Sequence, residues 1–404
     1  MKKRVFALLL AGIMLLGLAA CGGSNDKETG SIKVGLICIG DENDQGYTYN
    51  FIRGKEAATE ILKDKGIDVE WVVKYNVGEN DTCEDANIEL ADEGCDIIIN
   101  NSYGFEPYML KVAPDYPEIT FISCTNQASW GDDLANTHNA FADIYEGRYL
   151  AGVAAGLKIQ EMIDKGEIKA DEAVIGYVGA FSFAEVISGF TSYYLGAKSV
   201  CPSVTMKVQF VGSWSDATLE ANAASALCDL GCVMISQHSD NSTPATAAQN
   251  AGVFHTGYNN DMTTIAPEAS IIGTRIDWSV YFVHAIETIV KGGELEQDWC
   301  SGMADGAVVM TALNEAIAAE GTADKLAEVE GKIKSGEIKV FDTETFTVGG
   351  EKVTTSFALD TDGDFAPDSV EAVHDGAYNE SEAQSAPYFA LRIDGIEWLN
   401  EAWG

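Results

Sequence analysis

Ser31-Ile32-Lys33-Val34-Gly35-Leu36-Ile37-Cys38-Ile39 runs directly into Gly40-Asp41-Glu42-Asn43-Asp44-Gln45-Gly46-Tyr47-Thr48-Tyr49-Asn50. The first block is short, apolar and β-branched, and reads as a buried strand over 32–39. The second is a polar, glycine-containing turn that opens an amphipathic helix over 48–65. Repeated along a chain, this strand-turn-helix unit is the signature of parallel α/β layers. Strands are expected at 69–75, 96–100 and 119–123, with a helix at 85–93. After a helix at 146–163 the rhythm restarts: strands at 173–178, 205–211, 233–237 and 253–256, helices at 184–195, 217–230 and 244–251. Two such units predict two lobes, and open α/β sheets bind ligands outside the carboxyl ends of their strands. The cleft between the two edges is the expected site.

The strand at 271–274, the helix at 279–290 and the strand at 307–309 are expected to return the chain to the first lobe. That gives residues 31–140 plus 274–312 in one lobe and 141–273 plus 313–404 in the other, with 350–385 as an acidic insertion. Three crossings then form a hinge that can close on a ligand.

Composition narrows the function. The chain has 404 residues, 46% of them hydrophobic, enough for two or three cored domains. Its 25 Lys+Arg against 63 Asp+Glu leave a net charge of −38, which argues against a nucleic-acid partner. The long apolar run lies at the start: Lys2, Lys3 and Arg4 precede residues 5–18, and Leu18-Ala19-Ala20-Cys21 follows, the pattern of an export signal. Leu18-Ala19-Ala20-Cys21 resembles a bacterial lipobox. That resemblance implies removal of residues 1–20, lipidation of Cys21, a flexible polar tether over 21–30, and a protein anchored on the extracytoplasmic face of the cell membrane. The other eight cysteines include Cys83 and Cys95, which bracket a helix too long for a bridge, and Cys38, Cys124 and Cys232 beside apolar strands. Free core thiols are expected.

The chemistry sits where strands end. Besides the turn carrying Asp44, Tyr47 and Thr48, polar-aromatic clusters occur at Gly212-Ser213-Trp214-Ser215-Asp216, Gln237-His238-Ser239-Asp240, Gly257-Tyr258-Asn259-Asn260-Asp261 and Arg275-Ile276-Asp277-Trp278. Converging on one crevice, they would recognise a flat, polar, neutral molecule. Tyr47 and Trp214, one from each lobe, would sandwich a heterocycle, and Asp and Asn groups would bond in its ring plane. Asp44 also reads as a helix N-cap with Tyr47 as a staple.

Several of these stretches resemble the basic membrane protein (BMP) family of lipoproteins. They are Asp44-Gln45-Gly46-Tyr47-Thr48-Tyr49, Gly147-Arg148-Tyr149-Leu150-Ala151-Gly152, Ile175-Gly176-Tyr177-Val178-Gly179-Ala180-Phe181, Leu195-Gly196-Ala197-Lys198-Ser199-Val200, Trp214-Ser215-Asp216, Gln237-His238-Ser239-Asp240, Gly257-Tyr258-Asn259-Asn260-Asp261-Met262 and Gly336-Glu337-Ile338-Lys339-Val340-Phe341. The resemblance covers roughly residues 31–345. It implies a type I periplasmic-binding-protein fold, two Rossmann-like lobes with parallel sheets and a three-segment hinge. It also implies a monomeric substrate-binding component of an ABC importer, with a purine or purine nucleoside stacked in the cleft and an ABC permease as partner. By position it assigns ligand contacts to Asp44, Tyr47, Thr48, Phe181, Glu185, Trp214, His238, Asp240, Asn259 and Asp261. Many nucleoside-binding members have Asp-Lys-Ser-Phe-Asn where this chain has Asp44-Gln45-Gly46-Tyr47-Thr48. The Gly-Tyr-Thr-Tyr form is closer to the branch with Gly-Trp-Thr-Tyr, associated with purine bases.

Asp277 and Trp278 stand as further ligand candidates, with the hinge as the alternative place for the indole. Two other functions stay open: a sugar receptor, since aromatics also stack on pyranose faces, and an exported nucleoside hydrolase using His238 and Asp240. No metalloprotease, nucleophile-elbow or P-loop pattern occurs, and no cofactor is expected. In the tail, Asp360, Asp362 and Asp364 alternate like the start of a calcium loop, but Phe365 occupies the place where that loop requires glycine. A solvated acidic hairpin is the simpler expectation there.

Overall fold

The computed structural model describes residues 30–125, 134–361 and 366–403. The export signal, Cys21, the tether up to residue 29, and Asp362 and Asp364 lie outside the described residues.

The first lobe opens with strand β1 (Gly30–Ile37), helix α1 (Tyr47–Asp64), β2 (Ile67–Lys74), α2 (Asp81–Asp92), β3 (Ile97–Asn100), α3 (Glu106–Val112), β4 (Thr120–Ser123) and β5 (Thr137–Ala142). The second follows with α4 (Ile144–Asp164), β6 (Val174–Gly179), α5 (Ala184–Val200), β7 (Thr205–Phe210), α6 (Ala217–Asp229), β8 (Met234–Gln237), α7 (Thr243–Ala251), β9 (Phe254–Tyr258) and β10 (Ser270–Ile276). Helix α8 (Trp278–Val290) and β11 (Asp298–Ser301) return to the first lobe, and β12 (Val308–Met310) leaves it again. The sheets have the orders β11-β5-β4-β3-β1-β2 and β12-β10-β9-β8-β6-β7, with all pairs parallel except β10 with β12. Strands covered by helices on both faces are buried throughout, as in β3, where three isoleucines and Asn100 are all buried. The strand order reverses at β1/β3 and at β6/β8, which opens a crevice at each carboxyl edge.

Two strands fall elsewhere than expected. Strands β10 and β12 pair with each other, and β10 pairs with β9, so both belong to the second sheet. Only α8 and β11 go back to the first lobe: α8 packs on α1 and β11 pairs with β5. A strand's own pattern marks it as a strand but does not name its neighbour. The chain therefore crosses between lobes at residue 143, at residue 277 and over 302–307. The crossings are tied together, since Asp143 N donates to Ser301 O (3.0 Å) and Asp277 N to Ala307 O (2.7 Å).

The Gly147–Gly152 and Leu195–Gly196 motifs acquire a packing role. A Cβ on Gly152 would fall 1.9 Å from the Tyr193 carbonyl oxygen, and one on Gly196 would fall 2.0 Å from that of Tyr149. Helices α4 and α5 therefore touch backbone to backbone, and neither position has room for a side chain.

The tail is built into the molecule. After α9 (Thr322–Lys334), which packs on α4, come the hairpins β13 (Phe357–Leu359) with β14 (Ser369–Glu371) and β15 (Val373–His374) with β16 (Ala377–Tyr378). Ser385 then bonds to Asn139 and Asp298 of the first sheet, while β17 (Ile396–Trp398) adds a parallel edge strand to β7 of the second. The acidic stretch at 350–385 thus holds a hairpin, as expected, but the residues around it strap both lobes. The eight cysteines among the described residues are free thiols, six of them buried.

Candidate functional site

The cavity between the lobes is lined by Ile39, Tyr47, Ser102, Tyr103, Cys124 and Thr125 from one side and Glu185, Trp214, His238, Asp240 and Tyr258 from the other. Its empty volume is about 380 Å³. It is a narrow slot walled by aromatic rings.

Each wall residue is placed by the end of a strand. After β1, Asp44 uses both carboxylate oxygens to cap α1, accepting from Gly46 N (2.8 Å), Thr48 N (3.0 Å) and Tyr49 N (3.0 Å). That cap sets the angle at which Tyr47 enters the slot. The Tyr47 ring packs edge-on against Phe51 (4.9 Å between centroids), and its hydroxyl donates to the Cys124 carbonyl (2.9 Å). On the opposite wall Trp214 is held by the edge of Phe181 (5.0 Å), which stacks on Phe183 (5.1 Å). Asp240 is fixed by Asn259, whose Nδ2 donates to its Oδ1 (3.3 Å), and its own N–H bonds to the Trp214 carbonyl (2.9 Å).

The slot is closed. Gln45 accepts a hydrogen bond from Asn260 across it (2.8 Å), and a Cβ on Gly46 would lie 2.3 Å from the Asp240 carbonyl oxygen. The lobes can meet this tightly only because residue 46 has no side chain.

Electrostatics follow from burial. Loss of water, reinforced by the Asp44, Glu220 and Glu185 carboxylates, pushes the Asp240 carboxyl well above its ordinary range. Burial pulls His238 down, toward the neutral imidazole. Both its nitrogens are engaged, Nδ1 with Arg148 Nη2 (3.2 Å) and Nε2 with Glu185 Oε1 (3.2 Å). Neither His238 nor Asp240 is therefore a free base for activating water, and what the slot presents is aromatic faces and hydrogen-bonding groups. Among the described residues no His, Cys, Asp and Glu group has the geometry to hold a metal ion.

Of the twelve ligand candidates read from the sequence, Tyr47, Glu185, Trp214, His238 and Asp240 line the slot. Asp44, Phe181 and Asn259 stand directly behind it in supporting roles. Thr48 is buried away from it, with its hydroxyl on Gly40 N and Asn101 Nδ2. Three candidates lie elsewhere. Asp261 caps the short helix at Met262–Thr264 through Thr263, and Asp277 caps α8 through Ser279. Trp278 is fully buried in the first-lobe core, 4.1 Å from Phe51. The cause is the course of β10: its end leads out along the hinge, so this turn faces α1 rather than the cleft.

Sequence reading missed Ser102 and Tyr103, Cys124 and Thr125, and Tyr258. Asn101-Ser102-Tyr103 carries the same polar-aromatic signature at the end of β3, and Tyr258 lies inside a cluster already noted. Cys124 and Thr125 give no such signal.

Residues 31–344 match the family model described as ABC transporter substrate-binding protein, PnrA-like. A purine-binding protein of Brucella abortus is 33% identical over 334 residues, covering 82% of this chain and 87% of that protein. A putative ABC transporter glucose-binding protein of Haloferax volcanii is 28% identical, covering 79% and 76%. Among solved structures, an ABC transporter solute-binding protein from Aeropyrum pernix superimposes with a TM-score of 0.61 at 18% identity, covering 77% of this chain and 93% of that one. One from Conexibacter woesei gives 0.57 at 19%, covering 76% and 98%. The two-lobed α/β fold is thus shared with these solute-binding proteins, and the family match sets the hydrolase alternative aside. Among the described residues no helix is long and apolar enough to cross a membrane. With a family match across most of its length, the chain belongs to the PnrA-like (Bmp) family of extracytoplasmic ABC transporter substrate-binding proteins.

Proposed function

We propose that this protein is a lipid-anchored, monomeric receptor that captures a purine base or purine nucleoside by lobe closure and delivers it to an ABC permease. The observation that carries the reading is the narrow slot, with Tyr47 and Tyr103 on one wall, Trp214 and Tyr258 on the other, and Glu185, His238 and Asp240 among them. A thin aromatic slot suits a planar heterocycle, and stacking on such rings contributes roughly 1–3 kcal/mol per base. Asp240, held toward its neutral acid, offers a donor, and Glu185 offers an acceptor. The purine-binding Brucella relative supports the same ligand class. Cys21 is the lipidated residue in this reading. Calorimetric titration with adenine, hypoxanthine, adenosine and guanosine tests it; no heat from any of them sinks it.

A sugar is the second reading, favoured by the name of the Haloferax relative and by the aromatic walls, which also suit a pyranose face. D-glucose in the same titration separates the two, and heat from glucose alone selects the sugar.

A further inference from the structure

Arg148 of α4 is fully buried behind the second-lobe wall of the slot. Its guanidinium lies 3.6 Å from the Tyr258 ring centroid, and its Nη2 is 3.2 Å from Nδ1 of His238. Nε and Nη1 have no hydrogen-bond partner among the described residues. A buried cation is expensive to desolvate, and this one is left with two nitrogens, three N–H donors, unused. The series of contacts it begins runs through His238 and ends on Glu185, which faces the ligand cavity.

The polarity of that series is set by chemistry. A guanidinium has five N–H donors and no acceptor, so Nδ1 of His238 must present its lone pair to it. A neutral imidazole then carries its one hydrogen on Nε2. That hydrogen points at Glu185 Oε1, 3.2 Å away, and Glu185 must accept it. Burial keeps His238 toward the neutral form this requires. One oxygen of Glu185 is thus committed, and the side chain is held in one orientation at the slot wall.

Building on the purine reading above, we infer that Arg148 is a positioning residue for specificity: through His238 it fixes one oxygen of Glu185 as an acceptor and so orients the carboxylate, whose other oxygen selects ligands presenting a ring N–H or exocyclic amine to it. A site that bonds such a group rejects analogues lacking it, because its own buried acceptor is then left unpaired. Arg148 does this from behind the wall, without lining the slot itself.

Two measurements on the mature protein test the inference. With ¹⁵N-labelled imidazoles, and His238 assigned through a His238→Gln variant, the spectrum should show Nδ1 as the unprotonated nitrogen and Nε2 as the protonated one. The opposite tautomer, or a doubly protonated ring at neutral pH, overturns the relay. Calorimetry then compares inosine with 1-methylinosine, and adenosine with N6,N6-dimethyladenosine. At least one methylated partner should bind wild type roughly 10- to 100-fold more weakly than its parent. That ratio should shrink toward unity in Arg148→Met, and also in Glu185→Gln, which keeps the slot's shape if the arginine variant fails to fold. A ratio unchanged in the folded variants, or no discrimination in wild type, overturns the proposal. Should no nucleoside bind at all, the purine reading falls, and the tautomer spectrum decides the relay by itself.

Discussion

Tyr103 of the first lobe stacks on Phe183 of the second, with ring centroids 5.3 Å apart and planes inclined by 19°. The pair joins the two lobes beside the slot, which Tyr103 lines, and helps hold the closed form together. Aromatic pairs contribute about 0.5–1.5 kcal/mol beyond the area they bury. Tyr103→Ala should therefore weaken ligand binding by roughly 2- to 12-fold and enlarge the apo protein's radius of gyration in small-angle scattering. Unchanged affinity and scattering would remove the pair from the closure mechanism.

Gly46→Ala tests closure from the other rim. Gly46, at φ −131°, lies outside the left-handed region that favours glycine. The three atoms nearest the new Cβ all belong to the Asp240 backbone of the opposite lobe, within 2.6 Å. Overpacking of this kind costs about 1–3 kcal/mol. Affinity should drop correspondingly; a variant that binds as wild type does would show that the lobes need not approach this closely.

Trp214→Ala removes one stacking wall. The expected loss is roughly 1–3 kcal/mol of purine affinity, read by calorimetry. Trp278→Ala should do the reverse: about 3–5 kcal/mol of folding stability lost in urea titration, as for a buried aromatic, with ligand affinity of the folded fraction retained. Selective loss of binding in Trp278→Ala, with stability intact, would return that indole to the cleft.

Stability should decline as pH rises from 6.5 to 8. Burial pushes Glu380 to about 8, and Glu146 and Glu220 to about 7, against an unfolded value near ~4.3. Each proton is held by both states below the unfolded value. Above it only the native state keeps the proton, so the stabilisation present at acid pH is lost until the folded value is passed, at most about 1.4 kcal/mol per pH unit per group. His238 and His255 are shifted down by burial, so they act with opposite sign, below about 6.5. In the window above that pH, Glu380→Gln should flatten the slope of the thermal midpoint; a slope equal to wild type's would refute the buried proton.

The alternation of β-branched runs and amphipathic segments was enough to read the two lobes, and the polar-aromatic turns after β1, β7, β8 and β9 do meet at the slot. Strands β5 and β11 escaped notice because Thr137-His138-Asn139 and Asp298-Trp299-Cys300-Ser301 lack an apolar β-branched run. Their polar groups are used for hydrogen bonds at the hinge and tail, as Asn139 and Asp298 show. The turn at Arg275–Trp278 has the same local signature as the four that reach the slot. What sets it apart is where β10 sits in the second sheet, a long-range pairing with no trace in the turn itself. Arg148 was visible only as part of a motif, because its role depends on which imidazole nitrogen it meets.

Strand β17 carries a consequence for biogenesis. It completes the outer edge of the second sheet, yet its partner residues on β7 precede it by 190 positions, as the Lys207 and Glu397 pair illustrates. While the intervening chain is being synthesised, β7 presents an open row of backbone donors and acceptors, the kind of edge that recruits stray strands. The nascent protein is thus most vulnerable to misassociation shortly before its tail arrives, and a chaperone guarding that edge would be needed most during that interval.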